Sequence, residues 1–153
     1  MLLSDAFLAL GQEQFNQLVR GISMGKLRAF RLYDSFRTRA HLAKVNTETV
    51  RKATPRFWGR LAEKEEELAR ELAQAILMSH LDMIREVLDF TGIPNEDGFF
   101  AKDLDASPYL TPGWQQRVWE RFRGAHPEPA LVLYINHLAW ELDKKSEVFS
   151  PSE

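Results

Sequence analysis

Four histidines, His41, His80, His126 and His137, are the chain's candidates for metal ligation, haem binding or proton transfer near neutral pH. Two ligands aimed from one helical face need a spacing such as His-Glu-x-x-His or Glu-x-x-His, and none of the four belongs to either. His137 and Glu141 stand one turn apart, as ligands would, but no third or fourth ligand accompanies them. Surface or partly buried histidines are therefore expected, with no metal and no cofactor. His80 has the apolar neighbours of an axial haem ligand, Leu77, Leu81 and Ile84, which any core helix would equally supply. No cysteine is present, so thiolate zinc, disulfides and a cysteine nucleophile are excluded. No Gly-x-Ser-x-Gly turn sets a serine in a strained elbow.

Two loop motifs fail on their spacing. Gly21-Ile22-Ser23-Met24-Gly25-Lys26 has three residues between its glycines where a phosphate-binding loop has four, and Leu27 follows where a hydroxyl should. Asn95-Glu96-Asp97-Gly98 imitates the centre of a calcium loop, but Ile93 and Leu104 fall where the first acid and the bidentate glutamate belong.

The stretch Ala40-His41-Leu42-Ala43-Lys44-Val45-Asn46-Thr47-Glu48-Thr49-Val50-Arg51-Lys52-Ala53 resembles the helix-turn-helix of LacI-type repressors. Ala40 matches the small residue at the helix crossing, Val45 lies in the turn, and Thr49-Val50 lie in the second helix. The resemblance implies a DNA-binding role, with Thr47, Glu48, Arg51 and Lys52 at or near the major groove and Arg56 and Arg60 near phosphates. Arg39 and Lys44 depart from it, standing where the pattern has a buried apolar residue and a turn glycine.

Charge is unevenly spread. Residues 1–60 carry eleven Lys or Arg against four acids, and residues 61–110 carry four against twelve, within a net charge of −2. Basic helices packed beside acidic ones are the expected reading, since a nucleic-acid domain usually has a net basic balance. Aromatic residues gather at residues 99–119. Phe99, Phe100, Tyr109 and Trp114 are the candidates for a partner surface, where aromatic side chains dominate binding energy.

Any such residues must be positioned by helices, because apolar side chains recur every three or four positions and no sustained alternation marks a strand. Ser4 is expected to cap a first helix ending near Gly11. A second spans about Gln12 to Arg20 with Phe15, Leu18 and Val19 inward. Ser23 would cap a third with Ala29, Tyr33, Phe36, Ala40 and Ala43 inward, and a short segment from Asn46 or Thr47 would end before Pro55. From Pro55 to Thr91 runs the longest periodic stretch, about 55 Å as one rod, against about 40 Å for a compact domain of this length. It must therefore break, best at Ser79-His80 where the stripe changes phase, or project to pair with a second chain. Glu66 and Arg70 form an i,i+4 pair on its outer side. Gly92 and Pro94 stop it. After a long loop, Thr111-Pro112 opens a helix ended by Gly124, and Pro127-Glu128-Pro129 opens the last one, up to about Lys144.

The expectation is an all-α fold, an irregular bundle of about five to seven helices with one long acidic and aromatic loop. One domain would span residues 1–147, with a frayed tail at 148–153. No apolar run approaches the roughly 20 residues of a membrane span, and Asp5 interrupts an opening stretch that lacks a signal peptide's basic leader. A cytoplasmic location with no membrane partner follows. No substrate is legible. The first-ranked function is a non-enzymatic helical interaction module, self-associating as a homodimer or binding another protein. The alternatives are DNA binding through residues 40–60 and a small-ligand or haem carrier with its site in the bundle core.

Overall fold

The structure, a computed structural model, describes residues 1–22, 26 and 47–151. Among the described residues there are seven α-helices and no strand, only an isolated bridge between Glu96 and Phe99. The expected third helix, with Ala29, Tyr33, Phe36, Ala40 and Ala43, lies outside the described residues.

Helices α1 (Leu3–Leu10) and α2 (Gln12–Arg20) meet at Gly11, whose φ of +82° allows a corner that other residues rarely adopt. Phe7 and Phe15 close it edge to face, 5.8 Å between ring centroids. Ser4 does not cap α1. It is the second residue of the helix and fully buried, and the exposed first-turn donors are satisfied from elsewhere. The Leu3 and Ser4 amides donate to Glu66 Oε2 and Oε1 at 2.8 and 2.9 Å. A carboxylate 62 residues away thus meets the positive end of the helix. The expected pairing of Glu66 with Arg70 gives way to this contact.

Helix α3 (Thr47–Ala62) runs straight through Pro55, where a stop was expected. An interior proline costs about 3 kcal/mol. Phe57 and Leu61 are both fully buried, and such burial yields about 1.5–3 kcal/mol for each. Packing on α1 and α2 offsets the missing hydrogen bond.

The periodic stretch breaks twice. The expected break is present between α4 (Glu66–Leu77) and α5 (Leu81–Thr91), where Ser79 and His80 close tight turns onto the Ile76 and Leu77 carbonyls. A second, unexpected break lies at residues 63–65, with Lys64 at a φ of 64°. Arg60 Nε donates to Glu65 Oε2 at 2.7 Å across it, and Lys64 pairs with Asp5. Leu61 and Leu68 keep helical phase across this gap, so the apolar period carries no trace of it.

Helix α6 (Trp114–Phe122) begins two residues beyond Pro112, because Thr111 to Trp114 closes a turn that Arg117 grips through the Pro112 carbonyl at 2.8 Å and Thr111 Oγ1 at 2.7 Å. Helix α7 (Glu128–Leu142) is the centre of the bundle. It packs on α1, α2, α4 and α6, and every residue from Ala130 to Ala139 is buried. A helix wrapped on all sides needs apolar residues all round, which makes its polar members conspicuous.

The tail, expected to fray, is held at Phe149. Its amide donates to Asn136 Oδ1 at 2.7 Å and its carbonyl accepts from Asn136 Nδ2 at 2.9 Å. Trp114 Nε1 donates to Asp143 at 3.0 Å on the same side. No described helix is long and apolar enough to cross a membrane.

Candidate functional site

Helix α7 places Tyr134, His137 and Glu141 on one stripe, at spacings of three and four. This stripe faces a cavity of about 760 Å³. Leu77 and Met78 at the end of α4, Ile84 of α5 and Trp140 of α7 supply apolar wall. Residues 98–102 of the long loop close the outer side. That loop comes close because residue 98 is glycine. Its φ is +92°, and a Cβ there would lie 3.1 Å from Ile84 Cγ2. Asn95 braces the turn, accepting from the Gly98 amide at 3.1 Å and donating to Asp89 and the Ile93 carbonyl at 3.0 Å each. The segment that imitates a calcium loop is thus a tight turn, bridged between Glu96 and Phe99.

The floor is polar and unsatisfied. Tyr134 is 3% exposed and His137 is 8% exposed. Among the described residues, the Tyr134 hydroxyl and both ring nitrogens of His137 are buried and have no hydrogen-bond partner. Native interiors seldom leave such atoms unpaired, because each costs about 1–3 kcal/mol. His137 Nδ1 lies 3.7 Å from Glu141, too far for a hydrogen bond but close enough to orient the ring. Desolvation pushes the His137 imidazole down to about 4, so it is neutral at pH 7. Burial, then the Glu141 carboxylate, pushes the Tyr134 phenol up and keeps it protonated. Burial also raises Glu141, although its side chain is 37% exposed. The rings of Tyr134 and His137 stack at 6.5 Å and 18°.

Histidine 137 is therefore not a surface residue. Among the described residues no three His, Asp or Glu side chains gather as a metal site would require. Tyr134 and His137 line the space, but the hydroxyl and the two ring nitrogens are themselves sealed from it. Tyr134 was the overlooked member. Its signal was present in the sequence as Tyr134-x-x-His137-x-x-x-Glu141, polar groups on one face of an otherwise apolar helix.

The other candidates are scattered. His80, considered for haem, caps α5 and faces a separate hollow of about 400 Å³ with Ser79, Asp82 and His126 rather than an enclosed apolar pocket. Desolvation, then the nearby His126, lowers its pKa, while His126 pairs with Glu86. Of the aromatic candidates, Trp114 is 3% exposed and leaves the proposed partner surface, since its indole is buried against the bundle. Phe100 and Tyr109 are half-buried, and Phe99 is 60% exposed at the pocket rim.

The side chains of Thr47, Glu48 and Arg51 lie outside the described residues, as does the segment 40–46 that carries the rest of the repressor resemblance. Lys52 and Arg56 are exposed on α3, and Arg60 is engaged with Glu65. Comparison with protein-family models, curated proteins and solved structures finds no match.

Proposed function

We propose that this chain is a small-molecule-binding protein whose ligand, a largely apolar molecule with a hydrogen-bonding group, occupies the pocket on α7. The observation that carries this reading is the cavity itself, about 760 Å³, walled by Leu77, Met78, Ile84, Phe100 and Trp140. A cavity of about 760 Å³ lies within the usual range of ligand pockets, about 300–1,000 Å³, and combines apolar walls with a few convergent polar groups as such pockets do. The reading takes precedence over an interaction module because, of the loop aromatics that supported that module, Trp114 is buried and Phe100 lines the pocket.

Nile red, a neutral apolar dye that brightens out of water, tests it. Fluorescence should rise and saturate at one dye per chain. Leu142→Trp and Met78→Trp, which fill the pocket from two sides, should each abolish the rise while leaving the helical circular dichroism unchanged. A dye signal that does not saturate, or that survives both plugs, would overturn the reading.

A further inference from the structure

Two helices end at the pocket. Gln74, Leu77 and Met78 come from the end of α4, and Trp140, Glu141 and Leu142 from the end of α7. A helix C-terminus carries a partial negative charge, which a basic side chain in the last turn often offsets. Neither α4 nor α7 has one. Helix α7 instead places Glu141 there, adding a full negative charge to the partial ones. Its side chain is 37% exposed, so it is open to a ligand, unlike the sealed Tyr134 hydroxyl and His137 nitrogens. Glu141 also lacks a cationic partner. Among the described residues only the His137 ring comes within ion-pair reach, at 3.7 Å, and that imidazole is neutral at pH 7. Lys102 and Lys144 belong to the lining but are exposed, and neither pairs with Glu141. Burial raises the Glu141 pKa, as expected of a carboxylate partly stripped of water and given no countercharge.

Resting on the ligand-binding reading, we propose that the pocket takes a cationic ligand, a protonated amine on an apolar body, whose ammonium pairs with Glu141 at the C-terminal end of α7. The ammonium N–H groups donate to the carboxylate, an ion pair reinforced by hydrogen bonding, which an uncharged amide cannot match. A ligand carboxylate would meet Glu141 and two helix ends of its own sign. It could reach only Lys102 or Lys144, exposed side chains whose attraction solvent and salt screen. The body of the ligand is flat and apolar, to lie against Leu77, Ile84, Phe100 and Trp140.

Three probes sharing one body decide the matter: 2-(2-naphthyl)ethylamine, 2-naphthylacetamide and 2-naphthylacetate, each titrated at pH 7 against the full chain loaded with Nile red. The amine should displace the dye about tenfold more tightly than the amide, the worth of one hydrogen bond to a charged group. The acetate should be the weakest of the three. Glu141→Gln, which keeps the side chain's size and removes its charge, should leave dye binding intact and bring the amine level with the amide. An acetate that binds best would overturn the proposal and move the recognising charge to Lys102 or Lys144. Equal binding of the three, or dye displaced by none of them, would overturn it as well. So would an amine preference that survives Glu141→Gln. Failure of the dye to bind the unaltered chain would instead remove the ligand-binding reading beneath it.

Discussion

Replacing His137 with leucine should make the protein more stable. Leucine nearly matches imidazole in size and suits a helix interior. The substitution deletes two buried, unpartnered nitrogens, each of which costs about 1–3 kcal/mol when nothing satisfies it. The different shape of leucine offsets part of that, so a net gain of about 1–3 kcal/mol at pH 7 is the expectation. The pH dependence gives an independent reading. His137 titrates near 6.5 when unfolded and at about 4 when folded, so the unfolded chain binds the extra proton between those values. Its contribution to stability is complete above pH 6.5 and is lost as pH falls toward 4. At about 1.4 kcal/mol per pH unit, the full loss would be about 3 kcal/mol.

Urea denaturation followed by tryptophan fluorescence, at pH values from 4.5 to 8, measures both effects. Subtracting the curve of His137→Leu from that of the parent isolates the histidine from the carboxylates that titrate in both. The gap should widen steadily as pH drops below 6.5. A variant less stable than the parent at pH 7, with a difference curve flat across that window, would refute the reasoning. It would show that the ring is hydrogen-bonded and structural.

Three further outcomes follow from the packing. Leu138 is fully buried on the central helix, and Leu138→Ala should cost about 2–5 kcal/mol in urea unfolding; Trp140, half-buried on the pocket wall, should cost less when truncated. Asn136→Ala removes both hydrogen bonds that hold Phe149, so stability should fall by about 1–3 kcal/mol and hydrogen exchange should accelerate across residues 145–151. Glu66→Ala strips the cap from α1 and should cost about 1–2 kcal/mol, with faster exchange confined first to the amides of that helix.

The sequence alone determined the all-helical class and most helix positions. Periodicity of three and four is a local property, and Gly11, Gly92 and Pro94 end helices through their own backbone chemistry. The break at Ser79-His80 was legible for the same reason, as a change of phase in the apolar stripe. Periodicity says which side of a helix is apolar, however, and not what that side meets. Helix α3 crosses Pro55 because Phe57 and Leu61 find partners on α1 and α2, which no window around the proline contains. The α1 cap comes from Glu66, and the tail is held by Asn136, both fixed by which helices become neighbours. The pocket is the same kind of fact. Tyr134 and His137 sit in a row that the sequence displays, but only the meeting of α4, α5, residues 98–102 and α7 leaves a space beside that row, unfilled by any described side chain.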